Sequence, residues 1–215
     1  TNTLVMGCKN TVIPNTVEVI GDAAFAGCEG LESITIPNSV TTISWSAFSN
    51  CTSLTEVVIP ASVTTIGAYS FKGCTALTNV SIPASVTSIG DNAFEECSNL
   101  AKIVIDEANE VYDSRNNCNA IVESSTNTLI VGCKNTVIPN GIVTIAANAF
   151  YKREGSMSVN IPASVKTIAE SAFACSGLTS LTFATGSELE SIGEFAFNSC
   201  EGFTEVIIPA SVTTV

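Results

Sequence analysis

The chain has 215 residues, is 46% apolar and only 13% charged, and carries a net charge of -12 from 8 basic and 20 acidic residues. This composition excludes a disordered polymer, and an acidic chain without a Lys/Arg cluster is repelled by nucleic-acid backbones and anionic lipid surfaces. Histidine is absent, which removes the usual general base, the Ser-His and Cys-His nucleophile pairs and the commonest metal ligand.

Taken in order, the chain repeats. Prolines 14, 37, 60 and 83 stand 23 residues apart, and Asp106 holds the fifth place. After an irregular segment the step resumes at Pro139 and Pro162. Ala184 replaces the next proline and Pro209 follows. In the unit opening at Pro37 the apolar columns are Val40, Ile43, Ala47, Phe48, Cys51, Leu54, Val57 and Ile59. The Phe column continues through Phe25, Phe71, Phe94, Phe150, Phe173 and Phe197. A unit this short cannot enclose a core of its own, whereas stacked copies bury each column against the next. The fold class is therefore a repeat solenoid, and direct membrane insertion is not expected, because the apolar runs fall short of the roughly 20 residues a spanning helix needs.

Residues 54–59 alternate and are rich in β-branched side chains, which predicts one short strand per repeat, paired in parallel with its neighbours. The SVTTIG stretch, as at 62–67, is again β-branched and reads as extended. Gly21, Gly67, Gly90 and Gly193 after it are expected to supply a turn conformation. The AxxAFxxCxxL stretch has room for turns or a short 3-10 or helical piece only.

The rule breaks at 106–138, where 33 residues replace 23. Two apolar runs, 119–123 and 128–132, joined by Ser124-Ser125-Thr126-Asn127, predict a β-hairpin projecting from the stack or capping part of it. Residues 1–15 repeat 126–140 except at Val5/Ile130 and Met6/Val131, which places Thr1 inside a second such hairpin. The chain reads as a single solenoid domain over 1–215, cut from a longer repeat protein.

Cys28, Cys51, Cys74 and Cys97 recur every 23 residues, Cys200 holds the same place in its unit, and Cys175 comes one residue early. Zinc sites need close pairs such as C-x2-C, which this spacing lacks. The pattern predicts a ladder of small buried thiols. Parallel rungs do not aim their Cβ atoms at one another, so the ladder is not expected to form disulfides. Cys118 and Cys133 either bridge or stay free. Asp106, Glu107, Asp113, Asn116 and Asn117 supply oxygen but lack the spacing and glycine of a calcium loop, and read as a solvated loop. Glu95 and Glu96 read as surface charge. No cofactor, metal or catalytic residue is assigned.

The outward face of the strand ladder is the candidate binding surface. By alternation it presents Ser33, Thr35, Glu56, Val58, Asn79, Ser81, Lys102, Val104, Asn160, Thr182, Glu205 and Ile207. These positions vary while the core columns repeat, the pattern of a scaffold with an adaptable face.

The I-P-x-S-V steps at 36–40, 59–63, 82–86, 161–165 and 208–212, followed by IGxxAFxxCxxL, resemble the BspA-like bacterial leucine-rich repeat family. The resemblance implies a right-handed, curved leucine-rich-repeat solenoid, found on cell surfaces or secreted, with adhesion to host proteins in some members. On this reading the chain is a non-catalytic scaffold for a protein or glycan ligand. The alternative is a passive spacer whose function resides in flanking domains.

Overall fold

The structure, a computed structural model, describes residues 2–202 and 205–215. It divides into two compact units, Thr1–Val111 and Tyr112–Val215, and the boundary falls inside the irregular segment 106–138. Each unit is a stretch of β-solenoid. Thr1, placed by the sequence in a hairpin, lies outside the described residues.

In the first unit two parallel ladders run along the stack. One joins Thr3–Leu4, Val19–Ile20, Thr42–Ile43, Thr65–Ile66 and Ser88–Ile89. The other joins Glu56–Val58, Asn79–Ile82 and Lys102–Ile105 in the register Glu56↔Asn79↔Lys102, and Thr35 bridges onto Val58. A repeat can thus carry two strands where one is expected. The SVTTI segment pairs because its β-branched residues are already extended, and Thr41, Thr64 and Thr87 each donate a side-chain hydrogen bond to a carbonyl of the preceding repeat.

In the second unit Met157–Ile161 pairs in parallel with Leu178–Phe183. The other sheet runs in the order Ser191–Ile192, Thr167–Ile168, Thr144–Ile145, Thr128–Gly132, Ala120–Glu123, Tyr112–Asp113. The predicted hairpin is present: Ala120–Glu123 lies antiparallel to Thr128–Gly132. It neither projects nor merely caps, because Thr128–Gly132 continues the parallel ladder through Thr144–Ile145. Asp113 clamps its turn. The carboxylate receives Arg115 Nη2 at 2.6 Å, Arg115 Nε at 2.8 Å and Ser124 Oγ at 2.7 Å, while Arg115 Nη1 reaches Asn127 Oδ1 at 2.7 Å.

The AxxAF stretches form turns, and among the described residues helical structure is confined to a 3-10 turn at Arg115–Asn117. The residues two before and two after each column Phe have positive φ, as in Ala23 and Gly27, Ser46 and Asn50, Tyr69 and Gly73, Ser171 and Cys175, and Phe195 and Ser199. Alternating left- and right-handed residues aim every second N–H group one way, while those between bond within the turn. Ser46, Phe48 and Asn50 donate to the carbonyls of Ala68, Ser70 and Lys72, and Tyr69, Phe71 and Gly73 to those of Asp91, Ala93 and Glu95. These inter-repeat bonds stabilise a conformation that side chains disfavour.

The glycines expected to make the turn do something else. Gly21, Gly67, Gly90 and Gly193 are not at positive φ. A Cβ on Gly90 would lie 2.3 Å from the Ala68 nitrogen, and one on Gly67 2.6 Å from the Ser44 carbonyl carbon. They allow close approach of neighbouring rungs.

The eight column residues of the Pro37 unit are all buried. Phe25, Phe48, Phe71 and Phe94 stack with centroids 5.0, 5.3 and 5.3 Å apart and planes within 10°. Phe150, Phe173 and Phe197 form a second stack at 4.6 and 5.5 Å. No helix among the described residues is long and apolar enough to cross a membrane.

Candidate functional site

The strand ladder of the first unit builds the site. Because side chains alternate across a strand, Val57, Val80 and Ile103 enter the core while their neighbours face out. Register then sets Glu56, Asn79 and Lys102 in one row, and Val58, Ser81 and Val104 in the next. Adjacent strands lie about 4.8 Å apart, so the acidic and basic ends of the first row stand about 10 Å apart with an amide between them. The second row presents two exposed valines either side of a hydroxyl. Together these residues line a shallow groove of about 290 Å³. Thr35 joins the second row through its bridge to Val58, and Thr35 with Ser33 also lines a neighbouring hollow of about 400 Å³ beside Lys9–Asn15.

In the second unit Asn160 and Thr182 are paired and exposed, with Thr182 Oγ1 donating to Asn160 Oδ1 at 3.0 Å. Ser158 and Ser180 share that face in the adjacent row. The sequence reading passed over them, although the same alternation marks them. Glu205 and Ile207 are exposed but lie outside any strand. With Thr182 they line a larger cleft of about 730 Å³ floored by Leu181 and Phe183.

Aromatic side chains gather on the turn side. Trp45, the single tryptophan, is exposed and meets Tyr69 edge-to-face at 6.5 Å, and Lys72 Nζ lies 5.5 Å from the Tyr69 ring. Glu95 and Glu96, read as surface charge, in fact hold Lys72 at 3.0 and 3.4 Å, and only a tenth of the Glu95 side chain is exposed. Burial opposes the Lys72 charge, but the two carboxylates outweigh it and raise its pKa.

The cysteine ladder has a specific geometry. The thiols of Cys51, Cys74, Cys97 and Cys200 donate at 3.0–3.2 Å to the carbonyls of Phe25, Phe48, Phe71 and Phe173 in the preceding repeat. Cys28 Sγ reaches Gly7 O at 3.6 Å. Burial pushes Cys51 up to about 12 and raises Cys28, Cys74 and Cys200, which suits packing and not nucleophilic attack. Cys175 departs from the ladder. It is exposed at positive φ, and Ser176, three residues after Phe173, takes the buried place and lies 3.6 Å from Cys200 Sγ. The residue deleted from this unit shifts its cysteine onto the outward turn position.

Arg153 stands in the ladder place three residues after Phe150. It is fully buried, and its Nε donates to Gly132 O at 2.8 Å. Spacing from the Phe column identifies both Ser176 and Arg153. Cys118 and Cys133 are free thiols, each buried and raised in pKa. Of the loop oxygens, Asp106 Oδ1 accepts the Ala108 N–H at 2.9 Å, and Asp113 is engaged by Arg115 and Ser124.

The BspA type leucine rich repeat region matches the chain in six copies, over residues 5–122 and 128–215. The chain belongs to this family. Among solved structures it is similar to a leucine rich cell surface protein from Faecalibacterium prausnitzii, with 29% identity and a TM-score of 0.59 over 93% of this chain and 73% of that one. It also shares its fold with a leucine-rich repeat protein from Eubacterium ventriosum, at 20% identity and a TM-score of 0.60 over 87% of this chain and 63% of that one. The pneumococcal vaccine antigen PcpA shares it too, at 22% identity and a TM-score of 0.64 over 94% of this chain and 51% of that one. No curated protein matches the sequence. As a BspA-type protein, the chain is a repeat scaffold.

Proposed function

We propose that this BspA-type chain is a non-catalytic adhesion scaffold of the cell surface, and that the strand face of its first unit binds a protein ligand. The observation that carries the reading is the groove formed by Glu56, Asn79 and Lys102 beside Val58, Ser81 and Val104. The core requires none of these residues, yet a charge pair and two exposed valines are held in register on a rigid ladder. Such a mixed patch supplies apolar area with flanking charges that fix orientation. Surface placement is supported by the similarity to the F. prausnitzii cell surface protein.

The test is a binding screen of the 215-residue chain against extracellular proteins and glycans, repeated with Glu56→Lys/Lys102→Glu and with Val58→Asp. A protein ligand weakened at least about tenfold by both sets supports the reading. A ligand indifferent to both moves the site elsewhere, a glycan ligand replaces the partner class, and no ligand at all favours the spacer.

A further inference from the structure

Trp45, Ala68 and Asp91 hold one place in successive turns of the first unit. Their carbonyls accept, in order, the N–H groups of Ala23, Ser46 and Tyr69, and Asp22 takes the same place one turn before Trp45. Rungs lie about 4.8 Å apart, so one carboxylate stands a rung before Trp45 and another about 10 Å after it, with an alanine between. Trp45 has turns on both sides within the unit. Its main chain is tied: the carbonyl accepts from Ala23 at 2.9 Å, and the N–H donates to Asp22 Oδ1 at 3.2 Å. The side chain is not covered. Trp45 is 54% exposed, although its ring meets Tyr69 edge-to-face at 6.5 Å.

Rings on the turn side already take cations from the chain itself. Lys72 Nζ lies 5.5 Å from the Tyr69 centroid and is held there by Glu95 and Glu96. In the second unit Lys152 Nζ lies 5.4 Å from the Tyr151 centroid. An indole attracts a cation more strongly than a phenol does. Among the described residues, however, Trp45 carries no cation, and neither Asp22 nor Asp91 makes an ion pair. The pairing of ring and carboxylate that Lys72 completes at Tyr69 is left open at Trp45.

We propose that Trp45, with Asp22 and Asp91, is a docking site for an arginine side chain of a protein partner, on the turn side and separate from the strand-face groove. The guanidinium stacks on the indole, and the flanking carboxylates receive its N–H groups. Arginine suits the site better than lysine, because a planar fork stacks on a ring and still presents its donors in the plane. Charge selects the cation. The chain carries 20 acidic and 8 basic residues, and the lysine nearest the ring is already neutralised by Glu95 and Glu96. A basic partner is also drawn in over longer range. A pyranose would stack on the indole without using either charge. Because the Trp45 main chain is fixed by its neighbours, little ordering is needed when the partner docks.

The single tryptophan is the reporter. A tetra-arginine peptide blocked at both ends is titrated into the 215-residue chain while Trp45 emission is followed, with tetralysine and maltohexaose titrated alongside. Calorimetry supplies affinities for variants that lack the fluorophore. The site predicts a saturable emission change, with tetra-arginine bound about threefold more tightly than tetralysine. Trp45→Ala and Asp22→Asn/Asp91→Asn should each weaken tetra-arginine binding about threefold or more. Circular dichroism should stay unchanged, since all three side chains are exposed. Glu107→Gln/Glu110→Gln removes the same charge from an exposed loop of the same unit and should leave binding as it was. Silent Trp45 emission, or indifference to Trp45→Ala, overturns the proposal. Equal weakening by the loop pair also overturns it, by giving the peptide to the overall charge of the chain. A larger response to maltohexaose than to tetra-arginine overturns it in favour of a sugar platform.

Discussion

Phe71→Ala is the most direct test of how the stack holds together. Phe71 is fully buried, and its ring lies 5.3 Å from both Phe48 and Phe94 with planes 5° apart. Truncation removes the ring's own burial and leaves a slot that neighbouring rungs cannot close, because inter-repeat hydrogen bonds on either side of the ring fix their spacing. Phe→Ala in such a core costs about 3–5 kcal/mol, of which about 0.5–1.5 kcal/mol per lost ring pair comes from stacking. Phe197 is half-buried, so the same truncation there should cost about half as much. Urea unfolding followed by circular dichroism, with Cm and slope compared for both variants, checks this. Equal losses for the two, or a loss under about 1 kcal/mol at Phe71, would refute the argument that stacked burial dominates.

Two further outcomes follow from the thiols and the hairpin clamp. In the native chain at mildly alkaline pH, an alkylating reagent should modify Cys8 and Cys175 first and spare Cys51 and Cys74 until unfolding. Cys8 and Cys175 are exposed. The Thr11 hydroxyl, ahead of a backbone contact and Lys9, lowers the Cys8 pKa, while burial raises those of Cys51 and Cys74; mass mapping of modified peptides reads the order. Asp113→Asn should destabilise the second unit at neutral pH by about 1 kcal/mol, the scale of a solvent-screened pair. Burial alone would raise the Asp113 pKa, but hydrogen bonds from Arg115 and Ser124 lower it overall. A depressed carboxylate contributes stability above its unfolded value near 3.9 and loses it as pH falls through the folded value. The gap between wild type and variant should therefore close below about pH 4, measured by urea titrations across pH; a gap that persists in acid would refute the clamp.

The 23-residue step made the columns, the parallel strands and the outward rows of the first unit legible, because each follows from period and alternation alone. Conformations stabilised by neighbouring rungs were not legible. Nothing in the side chains of Tyr69 or Ser171 announces positive φ, since the carbonyls of adjacent turns and not local propensity hold it. The glycines misled for the same reason: their role lies in contact between rungs. Cys175 and Ser176 show the limit of counting by residue type, where spacing from Phe173 decides which one is buried. The rows on the strand face were visible as positions, but their grouping into a groove required the register.

The turn ladder gives each unit an electrical polarity that its strands do not. Along a turn column every second N–H group points toward the following repeat and its peptide carbonyl toward the preceding one, so these peptide dipoles of about 3.5 D add along the stack as they do along a helix. The sense is reversed. In an α-helix the positive pole lies at the N-terminal end; here it lies at the C-terminal end of the column. Acidic groups are favoured toward that end, and the 91–96 turn of the first unit carries Asp91, Glu95 and Glu96. Each added repeat lengthens an aligned column and polarises the bonds already made, so a rung inside the stack is held more strongly than one at its end.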